Sequence, residues 1–196
     1  RRQRQMCIRD RPGKLAFSRD LFVLLFLLRG MPFVDLAFLR RCDLQGNVIT
    51  YHRRKTSRKL TVVVGKEAME IIQKYMYAIP DSPYLFPIIQ NPGKDEYGQY
   101  ARMLRLQNYR LTQVANILGI RDRLSTYTAR HTWATTALRQ NYNSSLICDA
   151  MGHSSVKVTE TYFQPYRDDE VNRMNSSLIT YILSKKKRGT DKKIRS

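Results

Sequence analysis

The sequence predicts a mainly α domain with one small antiparallel β-sheet, an α+β architecture. Three observations carry that expectation. Apolar residues recur at helical spacing along most of the chain. Two β-rich runs, Val48–Arg53 (VITYHR) and Leu60–Val64 (LTVVV), flank a short polar and basic stretch, which is the signature of a hairpin. The 196 residues are enough for one well-cored domain and few for two, and no internal repeat is visible.

The elements follow in order. Ser18 is a candidate cap for a helix whose apolar run covers Leu21–Leu28 and which should end near Gly30. Pro32 suits the first turn of a second short helix, with Val34, Leu36, Phe38 and Leu39 as its apolar residues. The hairpin comes next, with Lys55 near its tip. Lys66–Tyr77 has helical spacing, and Pro80, Pro83 and Pro87 break it. Gly93 and Gly98 mark a loop before a long amphipathic helix from about Tyr100 to Leu118, closed by Gly119. Further helices are expected over Thr128–Leu138, over Asn143–Met151 capped by Asn143 or Ser144, and after a Ser154 or Ser155 cap. Trp133 reads as core. Asp168–Leu183 carries Val171, Met174, Leu178 and Ile182 at heptad-like spacing, and Lys185–Arg195 reads as a basic, disordered tail.

Net charge is +19, with 35 Lys+Arg against 16 Asp+Glu, and the excess is spread from end to end. A compact basic domain of this kind most often meets nucleic acid. On composition alone a ribosomal-type or merely soluble basic protein stays in contention. Cys7, Cys42 and Cys148 are scattered, and with three dispersed His they form no zinc pattern, so no metal or cofactor is expected. Scattered thiols suit a reducing cytoplasm. Leu21–Leu28 is too short to span a bilayer and lacks a signal-peptide cleavage site, so no membrane attachment is expected.

Arg1–Arg11 (RRQRQMCIRDR) resembles the translated read-through of a common transposase-based sequencing adaptor. It is excluded from fold reasoning on that ground. It supplies +4 of the +19, and the remainder still calls for an anionic partner.

The chemistry concentrates in Thr126–Tyr162. This stretch holds Arg130–His131, then Gly152–His153 22 residues on, then Tyr162 nine residues past His153. Breaking a phosphodiester without a metal needs a nucleophile, cations for the charge that builds on phosphorus, and an acid for the leaving oxygen. Arginine suits non-bridging phosphate oxygens because its planar fork donates two parallel hydrogen bonds. A tyrosine can attack phosphorus and hold it as an ester. Taken singly, His131 and His52 read as structural or incidental, and Lys55 as a solvated hairpin lysine.

ARHTWATTAL and MGHSSVKVTETYF, following a KT hairpin, resemble the catalytic domain of tyrosine recombinases, the phage-type integrases, over about residues 14–184. The resemblance implies Tyr162 as nucleophile giving a 3′-phosphotyrosine, Arg130 as second catalytic arginine, Lys55 as general acid, and His153 as a phosphate-binding donor. It implies double-stranded DNA as substrate, strand exchange through a Holliday junction by a homotetramer, and docking of the helix around Val171–Leu183 on a neighbouring subunit. The domain would cover residues 12–184, with the N-terminal helical domain of the family missing and 185–196 as tail. The sequence departs from the family twice. Tyr127 stands where His is usual three residues before the second arginine, and a phenol is a poor base near neutral pH. Pro32 stands three residues before the acid, Asp35, where the first arginine is usual. Arg29, one helical turn earlier, is the expected substitute, and the form LRGMPFVDLAFL resembles one branch of mobile-element integrases. The expected function is therefore site-specific integration of a mobile element. A topoisomerase-like nicking and resealing enzyme and a catalytically decayed DNA-binding protein are the rival readings.

Overall fold

The computed structural model describes residues 13–162 and 172–180. The adaptor-like start, the basic tail and the expected helix positions Val171, Ile182 and Leu183 lie outside the described residues. The chain divides into a unit ending at Tyr162 and a second unit from Phe163. In the second, residues 172–180 are helical, with Met174, Leu178 and Ile179 exposed.

The first unit is built around α1 (Lys14–Leu27). Leu21, Leu24 and Leu25 on it have no exposed surface. Burying each stabilises the fold by roughly 1.5–3 kcal/mol before entropy. The helix starts ahead of the expected Ser18 cap. Ser18 is instead wholly buried in mid-helix, and its carbonyl accepts from Gln107 Nε2 at 2.7 Å. A short helix α2 (Phe33–Ala37) follows, with Pro32 as its N-cap. The strands β1 (Leu44–Gln45), β2 (Val48–His52) and β3 (Lys59–Val63) make one antiparallel sheet in the order β1-β2-β3. Its hairpin register pairs Thr50 with Thr61 and His52 with Lys59, leaving residues 53–58 as the connecting turn. The two-residue β1 was not expected from the sequence.

α3 (Lys66–Tyr75), α4 (Glu96–Leu118) and α5 (Thr126–Arg139) all pack on α1. α4 begins earlier than Tyr100 because the Asp95 carboxylate caps it, accepting from Gly98 N at 3.0 Å. α5 begins earlier than Thr128 because Ser125 and Thr128 cap each other, with Ser125 N donating to Thr128 Oγ1 at 3.0 Å. That start draws Tyr127 into the helix, one turn from Arg130 and His131. α6 (Ser144–Met151) is capped by Asn143, and α7 (Val156–Glu160) follows Ser155.

Two apolar clusters result. The larger joins α1, α2, the sheet, α3 and residues 85–88. The smaller holds Ala134, Ile147, Met151 and Tyr162, with Trp133 packed against it as expected. Among the described residues no helix is long and apolar enough to cross a membrane.

Candidate active site

Tyr162 sits on the turn just after α7, and its ring belongs to the smaller core cluster, so the side chain is only 6% exposed. It borders a cavity of about 330 Å³ that Arg53, Lys55, Tyr127, Arg130 and His153 also line. Four separate elements, the hairpin turn, α5, the α6–α7 junction and the turn after α7, thus converge on one space.

The end of α6 explains why two arginines can be buried side by side. A helix C-terminus leaves carbonyls without partners and carries negative dipole charge, so it favours cations. Met151 O accepts from Arg53 Nη1 at 2.9 Å and from Arg130 Nη2 at 3.0 Å. Gly152 O accepts a second bond from Arg53 Nη1 at 3.0 Å. Arg130 Nη1 reaches Gly30 O at 2.6 Å. Both carbonyl-bearing glycines are in left-handed backbone, Gly30 at φ 65° and Gly152 at φ 63°. A Cβ on Gly152 would lie 2.6 Å from Arg53 Cδ, and one on Gly30 would lie 3.1 Å from Arg130 Cα. The two glycines therefore make room for the two arginines. Burial, and then the neighbouring Arg53, draw the Arg130 guanidinium below the usual arginine range.

His153 is oriented by both ring nitrogens. Nε2 lies 2.7 Å from Arg130 Nη2 and Nδ1 lies 2.8 Å from Thr159 Oγ1. Arginine only donates, so Nε2 must accept and the ring proton sits on Nδ1, donating to Thr159. Burial first, then the cations Arg130, Arg53 and Lys55, push the imidazole down to about 4. The ring is neutral at pH 7 and both nitrogens are engaged. In this geometry His153 braces Arg130; it does not present an N–H to the cavity, which differs from the expected direct donor role.

The Tyr162 hydroxyl lies 2.8 Å from that of Tyr127, which is exposed. Burial, then this hydrogen bond, push the Tyr162 phenol up to about 12. The rings of His153 and Tyr162 stack with centroids 5.9 Å apart. His131, read as structural from sequence, is exposed with its ring centroid 5.3 Å from that of Tyr162. Lys55 is exposed at the cavity edge in the hairpin turn.

Arg29 is not brought to the cavity. Its backbone is left-handed (φ 59°), and its guanidinium turns to the sheet, where Nη1 donates to Thr61 O at 3.2 Å. Arg53 is the residue the sequence reading missed. It ends a strand-like run inside a basic stretch, and nothing local separates it from its neighbours Arg54, Lys55 and Arg58. The available signal was the acid at Asp35, a carboxylate with no arginine three residues before it.

A model of the Phage integrase family matches residues 6–168. The chain belongs to the phage integrase family. It is 26% identical to tyrosine recombinase XerC of Thermodesulfovibrio yellowstonii, over 76% of this chain and 51% of that protein. It spans about half the length of this curated relative. Among solved structures, XerA recombinase matches with a TM-score of 0.58 at 18% identity, over 84% of this chain and 64% of that one. XerH bound to its difH substrate matches with a TM-score of 0.59 at 16% identity, over 86% and 49%. At such identities the likeness is one of fold, and the fold is that of a tyrosine recombinase catalytic domain.

Proposed function

We propose that the protein is a site-specific DNA recombinase that cleaves and rejoins double-stranded DNA through a 3′-phosphotyrosine, serving the integration of a mobile element in the cytoplasm. The observation that carries the reading is the convergence of Tyr162, Arg130, Lys55 and Tyr127 on one cavity, with His153 bracing the arginine.

In the proposed step the Tyr162 oxygen attacks the scissile phosphorus. The new O–P bond forms as the bond to the 5′-oxygen breaks. Lys55, on the exposed hairpin turn, gives that leaving oxygen a proton. Tyr127 takes the phenol proton and passes its own to water, a route its exposure supports. Arg130, preset by Gly30 O, Met151 O and His153, meets the charge on the non-bridging oxygens. The ester keeps the bond energy, so a free 5′-hydroxyl can reverse the step and reseal DNA.

A homotetramer on DNA, with the helix around residues 172–180 contributing contacts between subunits, belongs to the same proposal. The apolar side chains exposed on that helix support it. The reading of residues 12–184 as the catalytic domain, with 1–11 as adaptor sequence, is a further part of the proposal. The test is a nicked suicide duplex drawn from DNA flanking the coding sequence. A denaturation-resistant adduct that disappears in Tyr162→Phe is the expected result. An adduct that survives Tyr162→Phe refutes the nucleophile, and DNA binding without any adduct favours a decayed binder.

A further inference from the structure

We propose that Arg53 is the second phosphate-binding arginine of this site and grips a non-bridging oxygen of the scissile phosphate through Nη2; the assignment rests on the recombinase reading above. The accounting of its donors carries the argument. A guanidinium has five N–H groups. Nε donates to Asp35 Oδ2 at 3.2 Å, and the two N–H of Nη1 go to Met151 O and Gly152 O. The two N–H of Nη2 have no partner among the described residues. Arg53 nevertheless lines the cavity with Tyr162, Lys55 and Arg130, while being only 6% exposed.

A buried cation that lines a water-accessible cavity and keeps a donor pair without a partner among the described residues is suited to receive an anion. Arg130 stands on the same Met151 carbonyl, so the two forks are fixed relative to each other by one atom. That rigidity is what makes a charge-stabilising site effective, because no reorganisation is needed as charge develops. Asp35, its side chain wholly buried, holds the turn by accepting two bonds, from Arg53 Nε and, at 3.0 Å, from Arg54 N. Asp35 on α2 thus takes its cation from the hairpin turn. Pro32 at the helical position could not supply one.

The rival account makes Arg53 a tie between α2, the hairpin and α6, with no contact to substrate. Charge chemistry separates the two. The cleavage site is first mapped by the wild-type adduct, and the scissile phosphate is then replaced by a methylphosphonate, which has one uncharged non-bridging position. The bonds formed and broken are the same, and the methyl group stays on phosphorus. Because Arg53→Ala alone strands a buried carboxylate, the working variant is Arg53→Ala with Asp35→Asn, accompanied by Arg53→Lys, and each is checked by thermal melting and DNA binding. On phosphate, the double variant is expected to form adduct about 10²–10³-fold more slowly, the usual loss for one preorganised donor. On methylphosphonate it should recover most of that loss, because there is less charge to neutralise. Arg29→Ala should cleave phosphate as the parent does. Equal impairment on both substrates, or none on phosphate, overturns the assignment in favour of a structural tie. Absence of any adduct from the parent protein overturns the recombinase reading itself, a distinguishable result.

Discussion

Replacing Gly152 by alanine probes whether the fold and the site share one constraint. The residue is left-handed at φ 63°, and a Cβ there would stand 2.6 Å from Arg53 Cδ and 2.8 Å from Leu60 Cδ1. The backbone conformation alone costs an L-residue about 1–2 kcal/mol. Forcing Arg53 and Leu60 aside adds an overpacking cost of about 1–3 kcal/mol. The sum, about 2–5 kcal/mol, is a large part of the roughly 5–15 kcal/mol that holds a domain together. Gly46 supplies the control, since it has φ 60° and nothing within 4 Å of its added Cβ. Gly46→Ala should therefore lose only the conformational part. Urea unfolding followed by the fluorescence of Trp133, the single tryptophan, measures both. In thermal melts each kcal/mol should appear as roughly 2–4 °C. Equal losses in the two variants would refute the claim that Gly152 is kept bare to seat Arg53.

Three further outcomes follow from the same geometry. An unfolded imidazole takes up a proton below about pH 6.5 whereas His153 in the fold resists until about 4, so the unfolded state binds more protons in that window and stability should fall as pH drops through it. Urea titrations at pH 7 and pH 4.5 should show a loss on the order of 2 kcal/mol that His153→Gln removes; an unchanged slope in His153→Gln would count against a neutral histidine. Thr159→Val deprives the Nδ1 proton of its acceptor among the described residues and should cost about 1–3 kcal/mol in the same assay, a loss that Thr159→Ser should largely avoid. Tyr127→Phe removes the hydrogen bond that helps hold up the Tyr162 phenol, so its ionisation midpoint should move down from about 12 while staying above 10 because burial remains; the ring-carbon shift of labelled Tyr162 reads this directly, and no movement would refute the pairing.

The sequence exposed the parts of this molecule that are local. Helical periodicity located α1 and α3–α6, and the alternation in Val48–Arg53 located the hairpin. The misplaced start of α4 has a local cause: Gly98 was read as a loop marker, although its bare backbone is what lets the Asp95 carboxylate fold back and cap the helix; α5 starts early through the reciprocal Ser125–Thr128 caps. Tyr162, Arg130 and His153 were legible because they fall within one contiguous motif. Arg53 was not, because its role depends on the carbonyls of residues 98 and 99 positions away.

The same dependence decides His153. A histidine in a GHSS motif suggests a donor to phosphate, yet which nitrogen carries the proton is set by Arg130, 23 residues away, and Thr159, six away. Once an arginine occupies Nε2, the ring can brace that arginine or donate to substrate through Nε2, but not both with a single ring proton. The fold thus converts a generic cation-and-histidine motif into a specific hierarchy. The α6 C-terminus seats two guanidinium groups, the histidine orients one of them, and the carboxylate of Asp35 orients the other. Any substitution at these bracing residues should slow the proposed reaction by displacing the arginine it holds, without the bracing group itself touching DNA.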